Sequence, residues 1–294
     1  MMPGTILVVG GTGLLGMPVA RQLQSDGFDV RVYTRDAEKV RRTLGDSFPA
    51  AEGNVTDTAA LGRAVAGCSG VHINLRGRPV GVNTFERAER QGVANVVVAA
   101  ARAGVQRVTY LSDLHALTAE NHALEQIAVK LASEQAIRAS GIAHAIFRAT
   151  VFMEALSHSA RQGRLVAPLV HSRYHLLAAG DYARMVSRFY QAPAAAPSRE
   201  LAVYGPQAVD FHAAIRRYAA VAFPGRRPYP VPLWAVSLLG SVTRNHFTRT
   251  TAKVLRMYAR GEPGDPAQAD RSLGTPTTTF DAWLSQLSPL RPAH

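Results

Sequence analysis

Short apolar runs alternate with longer amphipathic stretches through the first 150 residues. Runs such as Thr5-Ile6-Leu7-Val8-Val9 and Asp29-Val30-Arg31-Val32-Tyr33 are β-branched and brief, which suits buried strands. The pattern predicts strands over 5–9, 29–33, 71–75, 107–111 and 143–148, with a short one near 48–51. The amphipathic stretches between them predict helices over 14–25, 36–44, 57–66, 84–103 and 121–140. Gly104 and Gly141 stand where helix C-caps are needed. Strict strand–helix alternation builds a parallel sheet with helices on both faces, an α/β, doubly wound architecture.

The first strand runs straight into Gly10-Gly11-Thr12-Gly13-Leu14-Leu15-Gly16. Glycines between a strand and a helix allow a turn tight enough for backbone N–H groups to approach a pyrophosphate, whose charge the helix N-terminus favours. The order strand, glycine turn, helix, second strand is that of a Rossmann-type dinucleotide site. The candidate contacts are Gly10, Thr12, Gly13, Leu14, Leu15 and Gly16. The end of the second strand discriminates cofactors: a carboxylate there serves the ribose of NAD, a cation the extra phosphate of NADP. Arg35 lies about twenty residues beyond the turn, with Thr34 offering a hydroxyl, so strand-end chemistry favours NADP over NAD. Asp36 is either an NAD-type acid or the cap of the next helix. Asn74 and Leu75, at the end of the strand over 71–75, and Thr150, after that over 143–148, complete the candidate cofactor contacts. Arg76, Gly77 and Arg78 follow, facing either pyrophosphate or an anionic substrate.

The second half is less regular. A helix is expected over 176–191 with Asp181 as its cap, a strand over 201–204, helices over 209–222 and 232–260, and a partly irregular last ~30 residues rich in Pro, Gly and Thr. This divides the chain into an NAD(P)-binding domain, 1–155, and a smaller mixed substrate-binding part, 156–294, whose stretch near 176–205 packs back on the first. Val231–Gly240 is the most apolar stretch and reads first as a packed core helix, with an interfacial membrane contact, a dimer face or a lid as other placements. Phe152, Met153, Tyr174 and Trp234 are candidate apolar pocket walls.

Composition narrows the picture. At 294 residues and 47% hydrophobic, the chain can bury a large core. Its single cysteine, Cys68, allows no internal disulfide, which fits a cytoplasmic setting. The chain enters its first strand almost at once, leaving no room for a signal peptide, and no stretch reaches the ~20 apolar residues of a membrane span. The formal charge of +12 comes from 33 basic and 21 acidic residues that are dispersed, without a stacking module or recognition helix, so no specific nucleic-acid role is expected.

The spacing Gly10-x-x-Gly13-x-x-Gly16 resembles the extended and atypical short-chain dehydrogenase/reductase superfamily. Val93–Val97 with Gly104–Ser112, Lys130-x-x-x-Glu134 and Phe147–Glu154 resemble its NmrA-like branch. The resemblance covers 5–155 well and continues loosely through Asp181-Tyr182-Ala183 and Tyr204-Gly205-Pro206. It implies a Rossmann fold and an adenine contact at Asn54-Val55, where relatives carry Asp. The alternative for Asn54 is a turn before a helix capped at Thr56 or Asp57. The superfamily's proton donor is a tyrosine one helical turn before the lysine; here Gln126 precedes Lys130, so the tyrosine is missing. Ser112 matches the family's active-site serine.

Three routes remain open. Lys130 itself polarises the substrate; His115 or His122 supplies the proton; or the chain senses the cofactor without turnover, as NmrA-type regulators do. Lys130 also reads as a helix lysine paired with Glu125 or Glu134. The catalytic candidates are therefore Lys130, Ser112 and His115, with Lys130 also holding the cofactor ribose. His115, His122, His171 and His175 match no zinc spacing. The expected activity is NADPH-dependent reduction of a carbonyl, enone or imine in a small apolar molecule. A regulator or accessory protein and a nucleotide-retaining epimerase or isomerase are the alternatives. The helix over 84–103 offers a homodimer face.

Overall fold

The computed structural model describes residues 4–75, 86–161, 164–193, 196–242 and 246–289. The strands are β1 (Thr5–Val9), β2 (Asp29–Thr34), β3 (Ala50–Glu52), β4 (Cys68–Ile73), β5 (Arg107–Asp113) and β6 (Ala143–Ala149), then β7 (Ala160–Arg161), β8 (Arg164–Pro168), β9 (Arg173–His175), β10 (Arg199–Val203), β11 (Ala208–Asp210) and β12 (Tyr229–Val231). β1–β6 and β10 form one seven-stranded parallel sheet in the order β10-β6-β5-β4-β1-β2-β3. The order reverses between β1 and β4, which opens a crevice at their C-terminal ends.

Period-2 alternation assigns each strand residue to one of two cores. Ile6, Val8, Val30 and Val32 pack with α1 (Gly16–Ser25), α2 (Ala37–Leu44) and α6 (Ala179–Gln191). Leu7, Val9, Val71 and Ile73 pack with α3 (Thr58–Val65) and α4 (Gly92–Arg102). Helix α5 (Glu125–Ala139) lies beside α4 and contributes Ile137 to the same core. Gly104 (φ +69°) and Gly141 (φ +71°) end α4 and α5 in the left-handed conformation. Asp36 and Asp57 accept the Lys39 and Ala60 N–H groups, capping α2 and α3.

The remaining helices are α7 (Phe211–Ala222), α8 (Leu233–Val242), α9 (His246–Ala259), α10 (Ala267–Leu273) and α11 (Phe280–Ser285). A third core joins Met153, Tyr174, Phe211 and Tyr218 to Phe280 and Trp283, and within the partly irregular tail two short stretches, Ala267–Leu273 and Phe280–Ser285, are helical.

Other expectations are also revised. The helix expected over 84–103 begins, among the described residues, as a π-helical turn, Glu86–Gln91, and becomes regular only at Gly92. The helix expected from 121 begins at Glu125, because two 3-10 turns, Leu114–Leu117 and Ala119–Asn121, precede it. Asp181 does not cap α6. It lies inside the first turn, ion-paired with Arg184 and accepting the Thr278 N–H at 2.8 Å, while the Glu154 carboxylate accepts the Ala179 N–H instead. Tertiary partners have displaced the local cap. The helix expected over 232–260 is two helices packed on each other, α8 and α9. α8 is no core helix, because Trp234 is 70%, Leu238 57% and Leu239 55% exposed.

His72 sits fully buried on β4, its Nδ1 2.9 Å from Thr109 Oγ1, which lies 2.8 Å from the Tyr190 hydroxyl. Its Nε2 and the Tyr182 hydroxyl have no partner among the described residues. Burial pushes the imidazole pKa down to about 3, against roughly 6.5 unfolded. Below pH 6.5 the unfolded chain takes up a proton that the fold refuses, so stability falls as pH falls. Between pH 7 and pH 5 the loss is about 2 kcal/mol, in a range above most carboxylate titrations. Denaturant melts across that window should show this slope, and His72→Gln should flatten it.

Candidate functional site

The turn from β1 to α1 is built by exclusion. Gly10 has φ +87°, and a Cβ there would stand 2.1 Å from the Asn74 carbonyl oxygen. A Cβ on Gly16 would stand 2.2 Å from the Gly10 oxygen. Gly10 and Gly16 are therefore required by backbone packing at the strand-order reversal, where the Asn74 N–H donates to Val9 O at 2.9 Å. Gly13 differs. It is exposed, and a Cβ would meet only the Gly10 oxygen, at 3.2 Å. Leu15, at the N-cap of α1, provides no side-chain acceptor, and Leu14 is exposed while Thr12 is half-buried. A bare turn beside an uncapped helix N-terminus favours a phosphate electrostatically.

At the end of β2, Thr34 is buried and its Oγ1 accepts the Asp36 N–H at 3.1 Å, while Arg35 is exposed. The Asp36 carboxylate caps α2 through the Lys39 N–H at 2.9 Å. The Asn54 side-chain oxygen accepts from both Thr56 N–H and Thr56 O–H, at 3.1 Å each. This is the turn-shaping role, with Asp57 as the cap. Val55 and Leu75 pack against the core under α4. Arg76, Gly77 and Arg78 lie outside the described residues.

The three catalytic candidates gather near the C-terminal end of β5, and each is already engaged. Lys130 Nζ donates to Leu111 O at 2.7 Å, ion-pairs with Glu89 and lies 4.9 Å from the centre of the Tyr110 ring. Its carboxylate partner is thus neither Glu125 nor Glu134. Glu89 is buried and also accepts the Tyr110 O–H at 3.2 Å. Burial, reinforced by the Glu89 charge, pushes the Tyr110 hydroxyl well above the usual phenol range. The Ser112 hydroxyl donates to Glu134 at 2.6 Å. Glu134 is fully buried and held by Arg148 through two bonds, at 3.0 and 2.6 Å, and by Arg138 at 2.8 Å. Glu200 closes this cluster, its carboxyl pulled down to about 2, chiefly by the hydrogen bond from Arg138.

His115 is 3% exposed. Its Nδ1 lies 3.0 Å from Asp113 and its Nε2 3.1 Å from the Tyr174 hydroxyl, which donates to Tyr258 O at 3.0 Å. Burial would raise the Asp113 carboxyl, but hydrogen bonds from His115 outweigh it and hold the pKa low. The Thr150 hydroxyl donates to Glu262, which also accepts from His175 N–H at 2.9 Å. The segment after α9 therefore covers the C-terminal ends of β5 and β6. Of the candidate pocket walls, Phe152, Met153 and Tyr174 are buried in cores, and Trp234 is exposed elsewhere.

Sequence reasoning missed Glu89, Tyr110, Glu262 and the Arg148–Glu200 pair. Glu89 stands in Glu86-Arg87-Ala88-Glu89-Arg90-Gln91, which reads as a solvated helix face. Only the π-helical turn rotates it inward.

The NmrA-like family model matches residues 2–207. The chain belongs to the NmrA-like family. Among curated relatives of this NmrA-like chain, the photosystem II assembly factor Ycf39 of Synechocystis sp. is 25% identical over 151 residues, 51% of the chain and 46% of the relative. The chain spans about half the length of the curated relatives it matches. Citrobacter sp. triphenylmethane reductase, solved with NADP(H), is 19% identical with a TM-score of 0.71, covering 96% of this chain and 100% of that one. The Bordetella bronchiseptica enzyme WbmH, solved with NAD+, is 16% identical with a TM-score of 0.71, covering 96% of both chains. The solved structures share the Rossmann-type fold.

The Lys130–Glu89 pair of this NmrA-like site, buried at its carboxylate and partly exposed at its ammonium, makes an energetic prediction. Lys130→Met strands the Glu89 charge and should cost about 3 kcal/mol in urea denaturation. Adding Glu89→Gln, which keeps an acceptor for Tyr110, should recover about half of that loss. Equal stability of the single and double variants would refute the coupling.

Proposed function

We propose that this NmrA-like chain binds NADP(H) across the 10–16 turn and acts as a reductase on a carbonyl, enone or imine of a small apolar molecule. The observation that supports the binding is the turn itself: Gly10 and Gly16 are forced to be glycine by packing, while Gly13 is exposed and carries no side chain beside an uncapped helix. The preference for NADP rests on β2. Arg35 is exposed at the strand end, and the neighbouring Asp36 carboxylate is spent on the α2 cap. That leaves a guanidinium and the Thr34 region to meet a 2′-phosphate. The neighbours solved with NADP(H) and with NAD+ support a nicotinamide dinucleotide in general.

The bound dinucleotide would supply the hydride. The protein's part falls to Lys130, fixed by Leu111 O and Glu89 at the edge of β5. Its ammonium would orient the ribose and polarise a substrate oxygen or nitrogen. Ser112 is bonded to Glu134 and supports that edge in this reading. His115, wired between Asp113 and Tyr174, is the proton reservoir nearest in the chain to that edge.

One observation favours a second reading, a nucleotide-binding accessory or regulatory protein. Lys130, Ser112, His115 and Thr150 are each bonded inside the protein, and Gln126 stands where a proton donor is expected.

Calorimetric titration tests both. Wild type should bind NADPH more tightly than NADH. Arg35→Ala should weaken NADPH by roughly tenfold to a hundredfold, the worth of a charge-assisted pair, and leave NADH nearly unchanged. If neither nucleotide binds, the proposal fails. Binding without NADPH oxidation across a panel of quinones, enones and imines would select the accessory reading.

A further inference from the structure

Residues 211–261 contain nine lysines and arginines and no aspartate or glutamate. Most of the chain's excess positive charge is therefore concentrated in the segment that forms α7, β12, α8 and α9. The middle of that segment, Val231–Val242, carries no charged residue at all. Helix α8 packs on α9 with one side and leaves Trp234, Leu238 and Leu239 exposed. Trp234 and Leu238 are one helical turn apart and so share a face. Just before the helix, Tyr229 is 77% exposed and pairs in register with Val166, another exposed apolar residue. Arg226 and Arg227 are exposed immediately ahead of Tyr229. On α9, Arg249, Lys253 and Arg256 recur at helical spacing and are exposed, while Ala252 and Met257 point inward.

We infer that α8 and its basic flanks form a docking surface for an anionic lipid bilayer, with Trp234, Leu238 and Leu239 entering the headgroup–acyl boundary and the arginines meeting lipid phosphates. A large exposed apolar patch marks an interaction surface. The combination here, an uncharged helix bearing an exposed tryptophan between clusters of arginine, is that of an interfacial anchor. α8 has 10 residues, too few to span a bilayer, so it lies in the interface. Charge chooses the occupant. Arg217 and Arg260 are ion-paired with Asp281 and Glu120, but a second copy placed on this face by a two-fold axis would still bring the exposed cations of the flanks against each other, whereas an anionic leaflet attracts them. The surface makes no use of the glycine turn or of Lys130, so it stands apart from the nucleotide reading.

The test is co-sedimentation of the full chain with vesicles of phosphatidylcholine alone and with about 7:3 phosphatidylcholine to phosphatidylglycerol, with tryptophan emission followed in parallel. Partition onto the anionic vesicles should exceed that onto neutral ones by about tenfold or more and fall at high salt. The emission should shift to the blue. Trp234→Ser with Leu238→Ser should weaken partition by about tenfold and abolish the shift, with the thermal melt unchanged because both side chains are exposed. Arg226→Gln with Arg227→Gln should weaken partition but keep the shift in whatever fraction binds. No binding to either vesicle overturns the inference. So does equal binding to both, or a serine variant whose only effect is to abolish self-association in sedimentation velocity.

Discussion

The crowded contact between the Gly10 backbone and the Asn74 carbonyl is the constraint on which the rest depends. Two parallel strands at the centre of the sheet end there, and their exit loops must part in opposite directions. No side chain fits, and only a left-handed residue can make the turn. Once Gly10 and Gly16 satisfy that constraint, α1 is forced close against β1 and its partner α6 packs beside it. Helix α1 reaches the crevice above β1 and β4 with no capping side chain of its own, so its positive end is turned toward whatever occupies it.

The first half of the fold was legible because its signals are local. Period-2 runs such as Ile6–Val9 and capping residues such as Asp36 and Asp57 specify strands and helices without help from distant residues. The second half was less so. Asp181 looked like a cap, yet a backbone N–H nearly a hundred residues later claims it. Phe280 and Trp283 sit in a tail rich in Pro and Thr, where their burial in the third core adds to the local cap that Thr279 gives their helix. Val231–Val242 reads as core by hydropathy alone, because hydropathy does not tell a buried face from a face awaiting a partner.

The candidate site divides along the same line. The glycine turn, Arg35 and the loss of the helical tyrosine can be read from spacing. The partners of Lys130, Ser112 and Thr150 cannot, because each comes from another element, and of His115's two partners only Asp113 is near in the chain. Glu89 enters through a widened helical turn, and Glu262 and Tyr174 come from the second half of the chain. What spacing presents as four free functional groups, the fold presents as four members of closed hydrogen-bond circuits. Glu134 is named by the motif Lys130-x-x-x-Glu134, but its hydrogen bond to Ser112 is not, and Glu89 and Glu262 stand in no motif at all.

The cluster of Glu134, Arg148, Arg138 and Glu200 bears on how the chain is made as well as on what it does. Glu134 and Arg148 lie on α5 and β6, but the carboxylate that shares both arginines arrives on β10, about fifty residues later. During synthesis, β6 is an open parallel edge until residues 199–203 emerge, with a row of unpaired backbone groups and Leu201 and Val203 still absent from the core beneath it. Two arginines then face a single carboxylate. The strand that closes the sheet also balances its charge, so the half that carries the glycine turn reaches its final form only after the chain has been translated past Val203. Gene fusions or truncations that cut between β6 and β10 would carry that unfinished edge with them.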